Sequence, residues 1–108
     1  MSIAANLQAL GISVCHPPYL GAERRYVTYQ FIGQDGILYA EGREQETGVR
    51  YAVNVYAERK EVFSLMLEVK ATLEAAGYIV TVDTEIYEDA EKLHRIVLTA
   101  EREGADYG

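Results

Sequence analysis

The sequence has no tryptophan, a single cysteine, two prolines and two histidines. Cys15 has no second thiol to pair with, so an internal disulfide is excluded, and a chain without disulfides is typical of a reducing compartment. Residues 1–14 contain neither a basic leading segment nor an apolar run long enough for a signal peptide or a membrane span. We therefore expect a soluble protein that does not contact a membrane.

Basic residues are also scarce, because 10 Lys and Arg stand against 17 Asp and Glu, for a formal net charge of −7. Proteins that bind nucleic acid neutralise its phosphates with basic side chains, so the composition argues against sequence-specific binding of DNA or RNA. The 108 residues suffice to bury a core without a disulfide or a metal ion, and we predict one domain over 1–108. The polar, glycine-rich end at 102–108 predicts a flexible tail.

What the sequence does contain is one long helical repeat over 61–76. Its apolar residues recur at steps of three and four and so form one stripe: Val62, Met66, Val69, Leu73 and Ala76. Gly77 is placed to end the helix. Phe63, Leu65 and Leu67 widen the apolar side beyond this stripe. Two of them, Phe63 and Leu67, are our candidates for contact with a neighbouring subunit.

The other periodic segments alternate in the manner of strands. Residues 25–32, 49–57, 78–84 and 93–101 place apolar side chains at every second position, and a short helix over 2–10 precedes them. The strands follow one another in runs and do not alternate strictly with helices. This order predicts an α+β fold with a single, mostly antiparallel sheet and both helices packed on one of its faces.

Residues 33–48 leave two alternatives. Gly33 is placed to end a strand, and 34–36 is typical of a turn that leads into a brief return strand. The polar, acidic composition fits either an extended β-hairpin arm or a flexible solvated loop. In an arm, the acidic residues are candidates for contact with a partner protein: Asp35, Glu41, Glu44 and Glu46.

The sequence offers little that would support catalysis. Cys15 and His16 are adjacent in an extended segment, where neighbouring side chains point to opposite faces, so they do not form a nucleophile and its base. His94 falls on the apolar face of a strand, which is typical of a packed histidine. The acidic segment 83–91 lacks the central glycine and the ligand spacing of a calcium loop. We predict no catalytic residue, no metal ion and no cofactor.

Four segments follow one another along residues 17–98. They read PPYLGAERRYVTYQFIG at 17–33, VRYAVNVYAERKE at 49–61, EAAGY at 74–78 and IYEDAEKLHRIVL at 86–98. In this order and spacing the chain resembles phage tail completion proteins, also called tail terminator or tail-to-head joining proteins. It departs from that pattern in its short N-terminal helix and its long polar C-terminus.

The resemblance implies an α+β domain that self-associates into a ring, commonly a hexamer, in the virion tail after assembly in the bacterial host cytoplasm. The ring ends the tail tube and joins it to the head, so the implied partners are the tail-tube protein and the head-connector protein. No catalysis is implied. Residues 35–46 and 83–91 hold nine of the 17 acids, and we expect an acidic ring lumen that repels passing DNA.

A second interpretation is a small ligand-binding or regulatory α+β domain. Such a domain would bind its ligand on the sheet face opposite the helices, around Thr28, Gln30 and Tyr56. An uncharacterised enzyme comes third. Paired carboxylates do not favour a hydrolase here, because any acidic loop offers such pairs.

Overall fold

The computed structural model describes residues 2–40 and 43–103, in seven elements. Along the chain these are α1 (Ile3–Gln8), β1 (Ser13–Cys15), β2 (Tyr26–Ala40), β3 (Arg43–Ala57), α2 (Arg59–Ala75), β4 (Ile79–Glu88) and β5 (Leu93–Glu103). The strands form one sheet in the order β1-β2-β3-β5-β4, and every neighbouring pair is antiparallel except β1–β2. The predicted α+β fold is confirmed.

The core lies between the helices and one face of the sheet. Four of the five residues of the predicted stripe are buried, namely Val62, Met66, Val69 and Leu73, and Leu65 beside them is fully buried as well. The fifth, Ala76, is partly buried and is the C-cap residue that follows α2. From α1, Ile3 and Leu7 enter the same cluster. The sheet contributes alternate residues, as its period of two requires: Val27, Tyr29, Tyr51, Val53, Val55, Val80, Ile96, Leu98 and Ala100. These are the faces that the alternation of the sequence predicts.

Local signals set the helix ends. The Ser2 hydroxyl accepts a hydrogen bond from the amide of Ala5 at 3.2 Å and caps α1. At the end of α2, the amide of Tyr78 donates to the carbonyl of Leu73 at 3.0 Å, and Gly77 takes a φ of +99°. This Schellman arrangement needs a residue that tolerates positive φ, which is why Gly77 ends the helix as predicted. α2 begins two residues earlier than the predicted 61–76.

The predicted turn at 34–36 is wrong. Gln34 pairs with Val49 and Gly36 with Thr47, and the register between β2 and β3 continues to Ala40 and Arg43. Gly33 and Gly36 lie next to register shifts within β2, where a residue without a side chain accommodates a β-bulge. The extended hairpin is therefore the correct alternative for 33–48. Glu41 lies outside the described residues.

Two further boundaries differ from prediction. β4 runs to Glu88, so six of the nine residues of the acidic segment 83–91 are strand. β5 runs to Glu103, so the predicted tail at 102–108 was placed to begin two residues too early. Both extensions are paired: β4 with β5 throughout, and residues 101–103 with 48–50 of β3. Residues 104–108 lie outside the described part of the chain.

Candidate functional site

Three tyrosine rings stack on the helix-free face of the sheet. Tyr19, from the connection between β1 and β2, lies 3.9 Å from Tyr26 between ring centroids, and Tyr26 lies 4.5 Å from Tyr56. The guanidinium of Arg95 on β5 donates a hydrogen bond to the Tyr56 hydroxyl at 3.3 Å, and it pairs with Glu88 on β4 at 3.1 Å. This tyrosine row of Tyr19, Tyr26 and Tyr56 thus joins a loop to three neighbouring strands.

Arg24 holds the same loop in place. Its Nε donates to a carboxylate oxygen of Glu58, the N-cap residue of α2, at 2.6 Å. Its two terminal nitrogens donate to the carbonyls of Glu91 and Lys92, in the turn between β4 and β5, at 3.2 and 2.8 Å. The hydrogen bond from Arg24 lowers the pKa of Glu58. This contact therefore supports folding above the carboxylate's unfolded pKa and is lost as the pH falls through the lowered value.

A cleft of about 210 Å³ opens beside the tyrosine row. Its lining consists of Tyr19, Gly21, Ala22, Glu23, Arg24, Tyr26, Glu91 and Leu93. Small-molecule sites usually enclose about 300 to 1,000 Å³, so this cleft is small for a ligand pocket. The surface predicted for the ligand-binding alternative lies on the same face, but Thr28 is only 2% exposed. Of Thr28, Gln30 and Tyr56, none lines the cleft.

Tyr26 has a pKa raised to about 12, chiefly because burial disfavours its phenolate, with Tyr56 and Glu91 adding negative charge nearby. An unfolded tyrosine ionises near 10, so the unfolded chain loses this proton first as the pH rises. We expect the Tyr26 contribution to stability to be complete below about pH 10 and lost between about pH 10 and 12. Urea unfolding across this range measures the loss.

Tyr26→Phe is the control, because phenylalanine does not ionise. It should remove one late step from the phenolate absorbance titration of the folded protein and flatten the alkaline fall in stability. If the phenolate that is lost in Tyr26→Phe forms near pH 10 in folded wild type, the Tyr26 hydroxyl is not buried and this prediction is contradicted.

A second surface consists of exposed apolar side chains. In the described part of the chain, eight large ones are exposed: Leu20, Phe31, Ile32, Phe63, Leu67, Ile79, Val82 and Tyr87. The two predicted contact residues of α2 are among them, Phe63 at 61% and Leu67 at 48%. Leu65, which the sequence groups with them, is fully buried. The distinction follows from helix geometry, since Phe63 and Leu67 are four residues apart and share a flank.

That flank faces β4. Arg25, next to β2, reaches Glu61 at 3.8 Å and Glu68 at 4.0 Å, so the α2 flank that carries these two acids faces β2. The opposite flank, with Phe63 and Leu67, then lies on the β4 side of the sheet. Val82 is on the helix-facing side of β4, since it pairs with buried Leu98. Ile79 points to the opposite face, because it is next to Val80, which is buried on the helix-facing side. We call Phe63, Leu67 and Val82 the β4-side apolar surface.

The acidic candidates lie elsewhere. Asp35 pairs with Gly48, and Glu46 and Glu44 pair with Leu38 and Tyr39, so all three acids are on the β2–β3 hairpin. α2 begins just after the other end of β3, and Phe63 is in its first turns. The structure therefore separates the acidic candidates from the apolar ones and does not join them in one site.

The residues considered for chemistry are dispersed. His94 Nδ1 lies 3.1 Å from a carboxylate oxygen of Glu85, and the His16 ring packs 4.4 Å from that of Tyr29. Within 2–40 and 43–103, no three His, Cys, Asp or Glu side chains come together in a way that would hold a metal ion. Nor does that part of the chain form a helix with the length and hydropathy to cross a membrane.

Sequence reasoning missed Tyr19, Arg24 and Arg95. Arg24 and Arg95 form hydrogen bonds with residues 34 to 68 positions away, and Tyr19 lies in a loop without regular secondary structure. The only available signal was the number of tyrosines, nine in 108 residues. No protein-family model matches this chain, and no curated protein is significantly similar to it. Functional inference therefore depends on the sequence pattern, the fold and the two surfaces.

Proposed function

We propose that this protein is a structural component of a phage or prophage tail. In this role it forms a ring that ends the tail tube and joins it to the head connector. Support comes from the resemblance of residues 17–98 to tail completion proteins and from an α+β fold of the kind that this resemblance implies. The observation that carries the proposal furthest is the β2–β3 hairpin.

The hairpin extends past the rest of the sheet. β5 pairs with β3 only from Gly48 onward, so residues 43–47 pair with β2 alone among the described strands. With 36–40 they form a two-stranded arm of five residues on each side, roughly 16 Å long at 3.3 Å per residue. A two-stranded hairpin is only marginally stable by itself. Contact with a neighbouring subunit or with the tail tube would stabilise the arm, because the rest of its own sheet does not pack against it.

Copies of this chain, the tail-tube protein and the head-connector protein are the proposed partners, and the virion tail is the proposed location, after assembly in the host cytoplasm. The role requires no catalysis, cofactor or sequence-specific contact with DNA. Glu44 and Glu46 in the arm, and Asp35 at its base, are proposed to contact a partner. Glu41, which lies outside the described residues, is proposed as a contact as well. One acid of the second acidic segment, Glu88, is paired with Arg95 at 3.1 Å, which lowers its contribution to a negative lumen.

Deleting the coding sequence from its phage or prophage genome should leave filled heads and unattached tails in the induced lysate, as counted by negative-stain electron microscopy. Expression of the wild-type chain from a plasmid should restore joined particles. Joined, infectious particles in the deletion lysate would overturn the proposal.

An arm-shortened variant separates folding from function. Asp35 and Gly48 are paired, so a two-residue Asn-Gly turn that replaces 36–47 connects the strands without disturbing the core. We expect this variant to retain a cooperative melt and to fail to restore joined particles. Full restoration would show that the arm makes no required contact.

A further inference from the structure

β4 is the last strand of the sheet, and its outer edge is open. In the part of the chain that the structure describes, β4 pairs with β5 alone. The stretch 79–82 consists of Ile, Val, Thr and Val, which favour strands, and it contains neither a charge nor a proline. Charges and prolines are what usually prevent edge strands from pairing with other chains. This stretch can therefore accept another strand.

The β4-side apolar surface continues the open edge into the helix layer. Phe63, Leu67 and Val82 are all exposed on this side of the molecule. The other flank of α2 is covered, because α1 packs against both α2 and β1, at the far end of the sheet from β4. Apolar side chains gathered beside an open strand edge indicate a place where another protein surface docks.

A partner for this place has to supply both a strand and an apolar layer above it. A single added strand would extend the sheet at β4 and leave Phe63 and Leu67 uncovered, because these two side chains belong to the helix layer. A second copy of the chain supplies both parts through its own β4 and α2. The β4-side apolar surface therefore fits a second copy better than an isolated extended peptide.

The distance between the helices of two such copies suits this contact. α2 contacts β3, β5 and β4, so it lies over β5, the middle strand of the three. When β4 pairs with β4 of a second copy, the two β5 strands are three strand spacings apart, about 14 Å. Closely packed helices are about 8 to 10 Å apart. Large side chains on the facing flanks, such as Phe63 and Leu67, fill the remaining gap of about 4 to 6 Å.

We propose that this chain forms a two-fold dimer in which β4 pairs antiparallel with β4 of a second copy. The axis is perpendicular to the sheet, so the two five-stranded sheets become one and both α2 helices lie side by side on the same face. The axis passes next to Thr81, whose side chain points to the helix-free face because Val80 is buried on the other. Each Val80 then stands opposite Val82 of the second copy, below the α2 flanks, as a pair of β-branched residues.

The charges of β4 favour this register. Asp83, Glu85 and Glu88 follow the uncharged stretch, and β4 contains no lysine or arginine. With the axis at Thr81, Asp83 faces Ile79 of the second copy. The two glutamates lie beyond the paired stretch. An axis at Asp83 would instead place two aspartates opposite each other, which destabilises a strand pair.

A charge swap at the axis tests the dimer. Position 81 meets its own counterpart, so Thr81→Lys brings two lysines together and Thr81→Glu brings two glutamates together. An equal mixture of the two variants places a lysine against a glutamate. Thermal unfolding followed by circular dichroism verifies that each variant folds. Sedimentation velocity over a concentration series gives the dissociation constant of the dimer.

Thr84→Lys and Thr84→Glu are the matched controls. They change the same residue type at another exposed position of β4. Position 84 is three residues from the axis, so its two copies in the dimer are about 20 Å apart. Charges at this distance are largely screened at physiological salt, so mixing the two controls should not change the dissociation constant.

We expect wild type to dimerise, and the mixture of the two position-81 variants to dimerise at least about fivefold more tightly than either variant alone. A wild-type chain that stays monomeric over the whole series overturns the proposal. So does a position-81 mixture that binds no more tightly than its components, or a gain on mixing at position 84 as large as the gain at position 81.

The helix layer has a test of its own. Replacing Phe63 and Leu67 together by serine should raise the dissociation constant about tenfold or more, because the two-fold axis repeats each loss of apolar contact. Leu20→Ser is the control, because Leu20 is 89% exposed and lies outside α2 and β4. An unchanged dissociation constant in the double variant overturns the proposed contact. Unfolding measured well below the dissociation constant reports the monomer.

The dimer goes beyond the proposed tail role and does not depend on it. β5 separates β4 from the β2–β3 hairpin, so the arm stays available to other partners when the dimer forms. A two-fold contact is complete in a dimer and does not by itself build a ring. A monomeric wild type with unattached tails in the deletion lysate rejects the dimer and keeps the tail role. The expected mixture result with joined particles after deletion keeps the dimer and rejects the tail role.

Discussion

Replacing Leu73 by alanine is expected to lower the free energy of unfolding by about 2 to 5 kcal/mol. Leu73 is fully buried on the central stripe of α2, in the cluster that joins both helices to the sheet. Its truncation removes apolar contacts and leaves a cavity that a closely packed core closes only in part. Urea unfolding followed by circular dichroism measures the change.

Leu67→Ala is the matched control, because it makes the same substitution in the same helix and changes helix propensity equally. Leu67 is 48% exposed, so its truncation should alter the free energy of unfolding by no more than about 0.5 kcal/mol. A loss below about 0.5 kcal/mol for Leu73→Ala would contradict the assignment of the buried face. Equal losses at the two positions would mean that the Leu67 flank is covered as well.

Tyr26→Ala is expected to cost about 3 to 5 kcal/mol, the range for loss of a large buried aromatic side chain. Tyr26 is only 6% exposed, and its ring is stacked between Tyr19 and Tyr56. Removing it takes away the ring through which Tyr19 stacks on the sheet. Alanine therefore removes both the burial of this ring and the support for its two neighbours, and urea unfolding measures the combined loss.

Tyr26→Phe distinguishes stacking from the hydroxyl group. Phenylalanine keeps the ring between its neighbours, so we expect the free energy of unfolding at neutral pH to change by less than about 1 kcal/mol. If Tyr26→Phe were as destabilising as Tyr26→Ala, the hydroxyl group and not the stack would be the source of stability. The comparison shows whether the tyrosine row is a structural clamp on the helix-free face.

The tyrosine row bears on function because it and its loop cover part of the helix-free face of the sheet. The exposed apolar side chains lie mainly on β2, β4 and α2. Tyr19 and Arg24 secure the connection between β1 and β2 over the end of the sheet. The loop thereby covers part of the face on which a ligand-binding domain would place its site, and the cleft that remains is small. Together with the hairpin arm, these features favour a protein that acts through contacts with other proteins.

The faces of the helices and strands were predictable from the sequence alone. The stripe from Val62 to Leu73 and the alternation through Val53 and Val55 identify buried side chains, because each pattern depends only on the local repeat of its element. The ends of α1 and α2 were predictable to within two residues for the same reason, since Ser2 and Gly77 act on the backbone next to them.

Only the tertiary structure decided where the strands end and which residues gather on the helix-free face. β2 continues through Gly33 and Gly36 because β3 lies beside it, and β5 reaches Glu103 because β3 supplies its partners. Tyr19, Tyr26 and Tyr56 meet through pairing between distant segments, which no local period encodes. Repeats within an element specify its buried face, whereas strand length and the surfaces open to partners depend on neighbours that only the assembled sheet provides.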